Sequence, residues 1–284
     1  MTRELAAGLA LALASAAALN WGYFAQHASA SALPALALRR PLASLRLLFG
    51  DLRWLAGFLV GIGGWGLYVG ALALAPLSLV QAASAGGIGL LALLASRGAG
   101  LTAWERRGVS VSVAGLALLG ASLSGGTTAR AGGAWLGVAV WVAVSIGVAG
   151  LAARRPAGAA GLGIAAGILY AAGDVATKAA VPGGARLAFV PVLLTCHGLA
   201  FVALQLGFQR GGVLATAGLA TLLTNALPIA AGTRLFGEGL GSLPPVRVAA
   251  FACTVLGATL LARPGPAEAR PDALPPEPRP IPFD

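Results

Sequence analysis

Two charged residues lie inside an apolar segment that is long enough to cross a bilayer. The segment covers residues 158–180 and contains Asp174 and Lys178. An ionisable side chain in hydrocarbon costs about 2.5 to 3.5 kcal/mol on insertion scales, so such residues usually face a packed interior or a watery cavity and have a partner. Residues four apart share a helix face, and the spacing therefore predicts an Asp174–Lys178 ion pair. This pair could couple or bind an ion in a transport path, or it could anchor the helix end at the interface.

Further polar side chains occur deep in other apolar segments. An imidazole at the middle of a span, as at His197, can relay protons or can simply bind a neighbouring carbonyl. Pro228 frees a backbone carbonyl one turn earlier, and freed carbonyls are tolerated at depth where they line a cavity. The alternative is that such Asn and Thr side chains only join helices. The predicted substrate-binding set comprises Gln81, Ser84, His197, Thr221, Thr224 and Asn225.

Three residues are weaker candidates for function. Asn20 and Tyr23 lie in the first apolar segment, and Glu238 follows the segment that contains Pro228. A carboxylate at the end of a span is normally solvated. We therefore expect Glu238 to lie in a loop at the outer interface.

The composition indicates an integral membrane protein. The 284 residues are 58% hydrophobic and 10% charged, with a mean hydropathy of +0.85, whereas an ordinary soluble domain is about 25% charged. The 42 glycines suit helices that approach closely. A net charge of +10 would favour nucleic-acid binding in a soluble protein. Here the arginines fall in short loops between apolar runs, which indicates membrane topology, and we expect no nucleic-acid partner.

The residues that could support enzyme chemistry form no recognised pattern. Cys196 and Cys253 lie in apolar runs, and His27 and His197 lie on different predicted helices. Neither metal-ligand spacing, nor a phosphate-binding glycine loop, nor a catalytic triad order is present. We therefore expect no enzyme activity, no cofactor and no metal site. A lipid-modifying membrane enzyme that uses His197 and Asp174 is the alternative.

The pattern of apolar runs predicts an all-α fold, a polytopic membrane helix bundle of about nine transmembrane helices. The predicted spans cover residues 5–26, 54–74, 77–95, 108–124, 134–152, 158–180, 187–208, 212–236 and 246–261. Residues 39–53 form a predicted polar connection, and the first span could instead be a cleaved signal peptide. Gly57, Gly61, Gly66 and Gly70 predict close helix contacts. Residues 1–262 form a predicted transmembrane transporter domain, and the Pro-rich residues 263–284 a disordered tail.

The distribution of arginines predicts the orientation. Most of them fall in loops on one side of the nine spans, and Lys/Arg-rich loops are cytoplasmic. We therefore predict a multi-pass protein of the cell membrane with its N-terminus outside and its C-terminal tail in the cytoplasm.

The chain also contains a weak internal repeat. Residues 75–119 resemble residues 217–261, ending in VAGLALL and VLGATLL respectively, and residues 20–27 align with residues 171–178. In the predicted topology the matching helices run in opposite directions. This arrangement predicts two inverted repeats, covering about 1–124 and 134–262, with a substrate site at their interface.

Short motifs resemble a known superfamily. The segment YVGALALAPLSLVQ at 68–81, the segment LFGEGL at 235–240 and Pro228 are similar to the drug/metabolite transporter superfamily with EamA-like halves. The resemblance implies a carrier of a small polar or cationic solute that works by alternating access. The nine spans also resemble the NIPA-type magnesium transporter branch, which implies a divalent-cation permease. The chain departs from a strict repeat, because Ser96 corresponds to Glu238 and His27 corresponds to Lys178.

The predicted partners follow from this interpretation. They are the lipid bilayer, a small-molecule or ion substrate and, as an open alternative, a second copy in a homodimer. A third function stays open: a non-transporting scaffold or assembly factor that binds a partner through residues 264–284.

Overall fold

The computed structural model describes residues 3–36, 41–84, 86–96, 100–122, 133–154, 158–238 and 244–262. The described residues are helical and contain no strand, so the predicted all-α class is confirmed. The α-helices are α1 Arg3–Ala30, α2 Pro41–Phe49, α3 Leu52–Leu74, α4 Leu77–Ser84, α5 Gly87–Ser96, α6 Ala103–Ser122, α7 Trp135–Ala152, α8 Ala159–Ala180, α9 Val190–Phe208, α10 Leu219–Leu235 and α11 Pro244–Leu261. A 3-10 helix at Gly184–Phe189 leads into α9, and a π-helical turn at Leu214–Gly218 leads into α10.

Several of these helices are long and apolar enough to cross a membrane. Among the described residues there are seven such segments: Arg3–Ala30, Leu52–Leu74, Leu79–Ser96, Trp135–Ala152, Ala159–Ala180, Gly184–Phe208 and Leu214–Leu235. The predicted fourth span, α6, begins with the charged residues Glu105, Arg106 and Arg107, and the apolar part of α11 is the shorter Val248–Leu261. These helices are compatible with a multi-pass membrane protein. The count of nine spans stays a prediction, and the tail at 263–284 lies outside the described residues.

The link between α1 and α3 contains a helix and is not the irregular connection that its polar residues suggest. Proline is favoured at the first helical position because its φ is already helical, and α2 begins at Pro41. Asp51 then caps α3, since its carboxylate accepts a 2.7 Å hydrogen bond from the Trp54 N–H. This hydrogen bond holds the pKa of the Asp51 carboxyl below its ordinary value. The start of α3 is therefore fixed by a local cap.

The pairing of α1 with α3 depends on small residues. A Cβ added at Gly57 would lie 2.9 Å from the Ala25 Cβ, and one added at Gly22 would lie 2.7 Å from the Gly57 carbonyl oxygen. Gly64, which the sequence reasoning did not single out, is as close to Leu19 and its neighbours on α1. Gly66 has open space where its Cβ would be, so its predicted role in close packing is wrong. The contact stripe on α3 therefore repeats every seven residues, as in left-handed helix pairs.

Helix α8 lies at the centre of the bundle. In its apolar window 78% of the residues are buried, against 17% for α7. It packs on the π-helical turn through Gly163 and on α10 through Gly167, where an added Cβ would lie 2.6 Å from the Thr216 carbonyl oxygen and 2.8 Å from that of Ala220, respectively. Helices this close leave no space for larger side chains. Polar residues on α8 are therefore held among protein groups and are not exposed to lipid.

The end of α1 is fastened to the turn after α9. The side chain of Gln209 donates to the Ala30 carbonyl at 3.2 Å and to the Pro34 carbonyl at 3.1 Å, and its oxygen accepts from the Leu36 N–H at 2.9 Å. His27 also contacts the Gly211 carbonyl, at 3.2 Å. The Ala30 carbonyl also accepts a 3.4 Å bond from the Leu33 N–H, so Gln209 adds to a local turn there, whereas its bonds to Pro34 and Leu36 hold the chain that follows α1.

Candidate functional site

A cavity of about 410 Å³ lies between α1, α3, α4, α8, α9 and α10, with the end of α2 at its rim. Its wall is mainly apolar and aromatic. The aromatic lining consists of Tyr23, Phe49, Phe58, Trp65, Tyr68, Tyr170 and Phe201. The polar lining consists of Ser15, Gln26, Gln81, Ser84, Asp174, His197 and Thr224. Such a concave, apolar wall with a few polar groups is typical of a small-molecule site.

Asp174 is the carboxylate of this cavity. Its residue is only 4% exposed, and its Oδ2 accepts a 3.0 Å hydrogen bond from the Gln81 Nε2. The same amide nitrogen also donates to the Tyr68 hydroxyl at 2.7 Å. On the other side, the His197 Nε2 lies 3.6 Å from the Asp174 Oδ1. Side chains from α3, α4 and α9 therefore converge on one carboxylate of α8.

The imidazole of His197 has one nitrogen committed to the backbone. Its Nδ1 lies 2.8 Å from the Leu193 carbonyl oxygen, which only accepts, so this nitrogen carries a hydrogen. The ring lies directly against α8 at Gly173, and this orientation requires glycine there, because a Cβ would overlap the His197 ring at Cε1 and Nδ1. The Nε2 therefore faces Asp174, and its distance of 3.6 Å from Oδ1 is within ion-pair range but longer than a direct hydrogen bond.

The predicted Asp174–Lys178 ion pair is wrong. The ammonium of Lys178 donates to the Leu72 carbonyl at 2.9 Å and to the Ala75 carbonyl at 3.1 Å. These carbonyls end α3, where the helix dipole favours a cation and the last carbonyls lack intrahelical partners. The short Asp174 side chain stays in the cavity, while the long lysine side chain extends to the next helix end. Lys178 is not part of the cavity wall.

Glu238 is buried and does not lie in a solvated loop as expected. It is 4% exposed, and its Oε1 accepts a 2.7 Å hydrogen bond from the Leu77 N–H at the start of α4. An anion is favoured at a helix N-terminus. Glu238 therefore binds the start of α4 and Lys178 binds the end of α3, on the two sides of the break at residues 75–76.

The remaining predicted residues divide into two groups. Gln81, Ser84, His197 and Thr224 line the cavity with Asp174, whereas Thr221 and Asn225 lie behind the wall. Thr221 donates to the Asn20 side-chain oxygen at 3.2 Å, and the Asn225 amide donates to the Thr221 carbonyl at 2.7 Å. These contacts join α10 to α1 and stabilise the α10 backbone near Pro228.

Two polar groups of the wall have no partner among the described residues. They are the Ser15 hydroxyl, on a residue only 1% exposed, and the indole N–H of Trp65. An unsatisfied buried donor costs about 1 to 3 kcal/mol. Both residues line the cavity, although the polar atom of each is itself buried in the wall.

Apart from Tyr23, a weaker candidate that does line the cavity, the sequence reasoning missed the aromatic part of the site. Trp65 and Tyr170 both contact the His197 ring, with centroid distances of 5.8 Å and 5.6 Å. Tyr68 had no assigned role, although it binds Gln81. The positions of these aromatic residues along the spans could have revealed the site, because Trp and Tyr of a membrane protein concentrate at the two interfaces. Aromatic residues in the middle of α3 and α8 are exceptions that point to an internal site.

Among the described residues, no group of three or more His, Cys, Asp or Glu side chains is placed to hold a metal ion. Comparison with protein-family models, with curated proteins and with solved structures finds no match to this chain. The functional argument therefore depends on the cavity itself.

Proposed function

We propose that the protein is a secondary transporter of a small polar or cationic solute that works by alternating access. The observation that carries the proposal is the buried Asp174 carboxylate, which faces a cavity and contacts Gln81 and His197. A buried ionisable group in a membrane span is expensive and is usually functional. Gln81 belongs to the predicted first half and Asp174 to the second, as expected for a site between two repeats.

The pairing of Asp174 with His197 supports coupling to protons. Since the His197 Nδ1–H is directed at the Leu193 carbonyl, a proton held by Asp174 or by Nε2 sits on the far side of the ring. The pair is neutral while it holds this proton. A cationic solute that binds the carboxylate replaces the proton in the charge balance, so that solute and proton are exchanged for each other. Asp174 is the coupling residue, and Lys178 acts on the helix break and not on Asp174.

The packing pattern supports an internal two-fold repeat. Helix α1 packs chiefly on α3 as α8 packs on α9, and α1 contacts α4 and α5 as α8 contacts α10. The pairs α4 with α10 and α6 with α11 join the halves. A two-fold operation that exchanges α1 with α8, α3 with α9, α4–α5 with α10 and α6 with α11 preserves all of these contacts. The same operation gives the repeat pairs that the sequence predicts, and α2 and α7 lie outside it.

Membership of the drug/metabolite transporter superfamily belongs to the same proposal, together with nine spans, a cell-membrane location, an external N-terminus and a cytoplasmic C-terminus. It is supported by the motifs at 68–81 and 235–240. The magnesium-permease alternative has no comparable observation in its favour. Hard divalent cations prefer six or more oxygen ligands, and Asp174 supplies the one carboxylate of the cavity wall.

The test uses the purified full-length protein in liposomes that contain a pH-sensitive dye. Small organic cations are added outside, and proton efflux is measured for the wild type, for Asp174→Asn and for Asp51→Asn. The last variant makes the same chemical change outside the cavity. We expect cation-driven proton flux in the wild type and in Asp51→Asn and its loss in Asp174→Asn.

Other outcomes would favour other functions. Full, pH-dependent flux in Asp174→Asn would refute the role of this carboxylate. Magnesium influx, measured with a magnesium-sensitive dye, would favour the permease. Absence of flux for every solute, with a binding partner lost on deletion of residues 264–284, would favour the scaffold.

A further inference from the structure

The cavity reaches the outside of the bundle on one side, between α3 and α9. Ile62 on α3 and Leu194 on α9 line the cavity and yet are 53% and 59% exposed, so the wall reaches the protein surface beside them. Leu45 and Phe49 of α2, 41% and 44% exposed, also line the cavity at its rim. Gly61 and Gly198 line it beside Ile62 and Leu194. A Cβ at Gly198 would have nothing within 4 Å, which means open space between the two helices.

The two helices beside this opening touch each other through rings. Phe58 and Phe201 meet with a centroid distance of 5.7 Å, and Trp65 and His197 meet at 5.8 Å. The backbones of α3 and α9 are thus held apart by aromatic side chains above and below the glycines. Ring contacts of this kind can separate without breaking hydrogen bonds.

The opening lies at the depth of the hydrocarbon. At 1.5 Å per residue, Gly61 lies about 14 Å along α3 and Gly198 about 12 Å along α9. A hydrocarbon core of about 30 Å would cover both positions. Exposed Ile62 and Leu194 would then contact lipid chains, so what enters here comes from the bilayer.

Hydrogen bonds between the predicted halves join the helices at the two ends of the cavity. At one end the Trp54 indole donates to Gln205 at 3.0 Å, and Gln205 donates to Gln26 at 2.6 Å. At the other end Lys178 and Glu238 bind the backbone at the α3–α4 break. The Trp54–Gln205 bond joins α3 to α9 at the first of these ends, and the stretch beside Gly61 and Gly198, about two turns away, is the part of the wall that these bonds do not cross.

We propose that the ligand of this cavity is amphipathic and that it enters sideways from the bilayer, between α3 and α9 at Gly61 and Gly198. This inference rests on the proposed function, because it assumes that the cavity takes a solute. The charged head binds Asp174, and the apolar tail contacts the ring wall of Phe58, Phe201 and Trp65. A small hydrophilic ion lacks the apolar surface needed to cross an opening within hydrocarbon.

The test compares two permanent cations with the same head group, octyltrimethylammonium and tetramethylammonium. Binding of each labelled cation to the full-length protein in lipid nanodiscs is followed with time, and protein-free nanodiscs supply the background. We expect octyltrimethylammonium to bind at least about tenfold more tightly, because each additional buried methylene strengthens binding. Asp174→Asn should abolish the binding.

Three glycine variants locate the opening. Gly198→Leu fills it and should slow both association and dissociation of octyltrimethylammonium by about tenfold or more, since access then requires the helices to separate. Gly198→Ala adds one methyl group to the open space and should slow both rates less than Gly198→Leu does. Gly63→Leu places the same side chain on the exposed face of α3, away from the cavity, and should leave both rates unchanged.

The outcomes separate this inference from the carrier proposal. Lateral access would be overturned by unchanged rates in Gly198→Leu, or by a loss of affinity in that variant without slower exchange. It would also be overturned by equal affinity for the two cations, or by no binding of octyltrimethylammonium to the wild type. If octyltrimethylammonium binds in the expected way but no cation moves protons across liposomes, lateral access is supported and the carrier proposal is refuted. If the wild type and Gly198→Leu exchange protons for tetramethylammonium equally well, the carrier proposal is supported and lateral access is refuted.

Discussion

Replacing Gly173 by alanine perturbs the site without replacing any polar side chain. The added methyl group would overlap the His197 ring, so the imidazole has to move away from α8. That movement breaks the 2.8 Å bond from Nδ1 to the Leu193 carbonyl, which is worth about 0.5 to 1.5 kcal/mol. Overpacking adds about 1 to 3 kcal/mol, whereas alanine in a helix interior returns only about 0.5 to 1 kcal/mol. We expect a net loss of about 0.5 to 4 kcal/mol of stability.

The functional effect of Gly173→Ala should exceed its effect on stability. The 3.6 Å separation of His197 Nε2 and Asp174 Oδ1 increases, so the two groups interact more weakly. A displacement of about 1 Å can reduce the rate of a positioned reaction by about a hundredfold. The assay is cation-driven proton flux in liposomes as a function of pH, together with thermal unfolding.

A matched variant distinguishes crowding from a general effect of alanine. Gly147 lies in α7 with open space around its Cβ position, so Gly147→Ala should raise stability by about 0.5 to 1 kcal/mol and leave flux unchanged. The reasoning would be refuted if Gly173→Ala behaved like Gly147→Ala, with increased stability and the wild-type pH profile.

Three further predictions concern the ends of the helices. Asp51→Ala should lower stability by about 1 kcal/mol near neutral pH because α3 loses its cap. Since the pKa of the folded carboxyl is depressed, this difference should begin to shrink only below about pH 4, where the unfolded carboxyl takes up its proton, and should be lost as the pH falls through the folded pKa; an equal loss at neutral and at strongly acid pH would contradict this. Glu238→Ala should cost about 1 to 3 kcal/mol, measured by thermal unfolding, because the first N–H of α4 loses a charged acceptor, whereas Glu238→Gln keeps an acceptor and should lose less. Trp54→Phe removes the donor to buried Gln205 and should cost about 1 to 2 kcal/mol in denaturant unfolding, and an unchanged midpoint would argue against this bond.

The helix positions could largely be predicted from the sequence. Runs of apolar residues of the required length reflect the bilayer directly, and the structure places helices at each of them. The helix α2 was missed although Pro41 is a recognised start signal, because nine residues carry too little periodicity to outweigh their polar neighbours. The break between α4 and α5 and the π-helical turn before α10 were missed too. These depend on packing between helices and not on local preference.

The site was predictable only in part for a similar reason. Asp174 attracted attention because it is an acid in an apolar span, but its partner was chosen by sequence distance. Lys178 is one turn away along α8, whereas Gln81 and His197 become neighbours only when helices from the two halves meet. A charge pattern within one helix cannot reveal which carbonyls of another helix compete for the same lysine.

The anchoring of α1 by Gln209 has a consequence for how the chain is made. During synthesis the first helix emerges long before residue 209, so the Leu36 N–H and the Pro34 carbonyl, both just after α1, have to wait for their partner. Unpaired backbone groups are poorly tolerated near hydrocarbon, and until then they need water, lipid head groups or a chaperone. The amino-terminal portion therefore reaches its final conformation only after α9 has been inserted, and the two portions expressed from separate genes should assemble only when both are present in the same membrane.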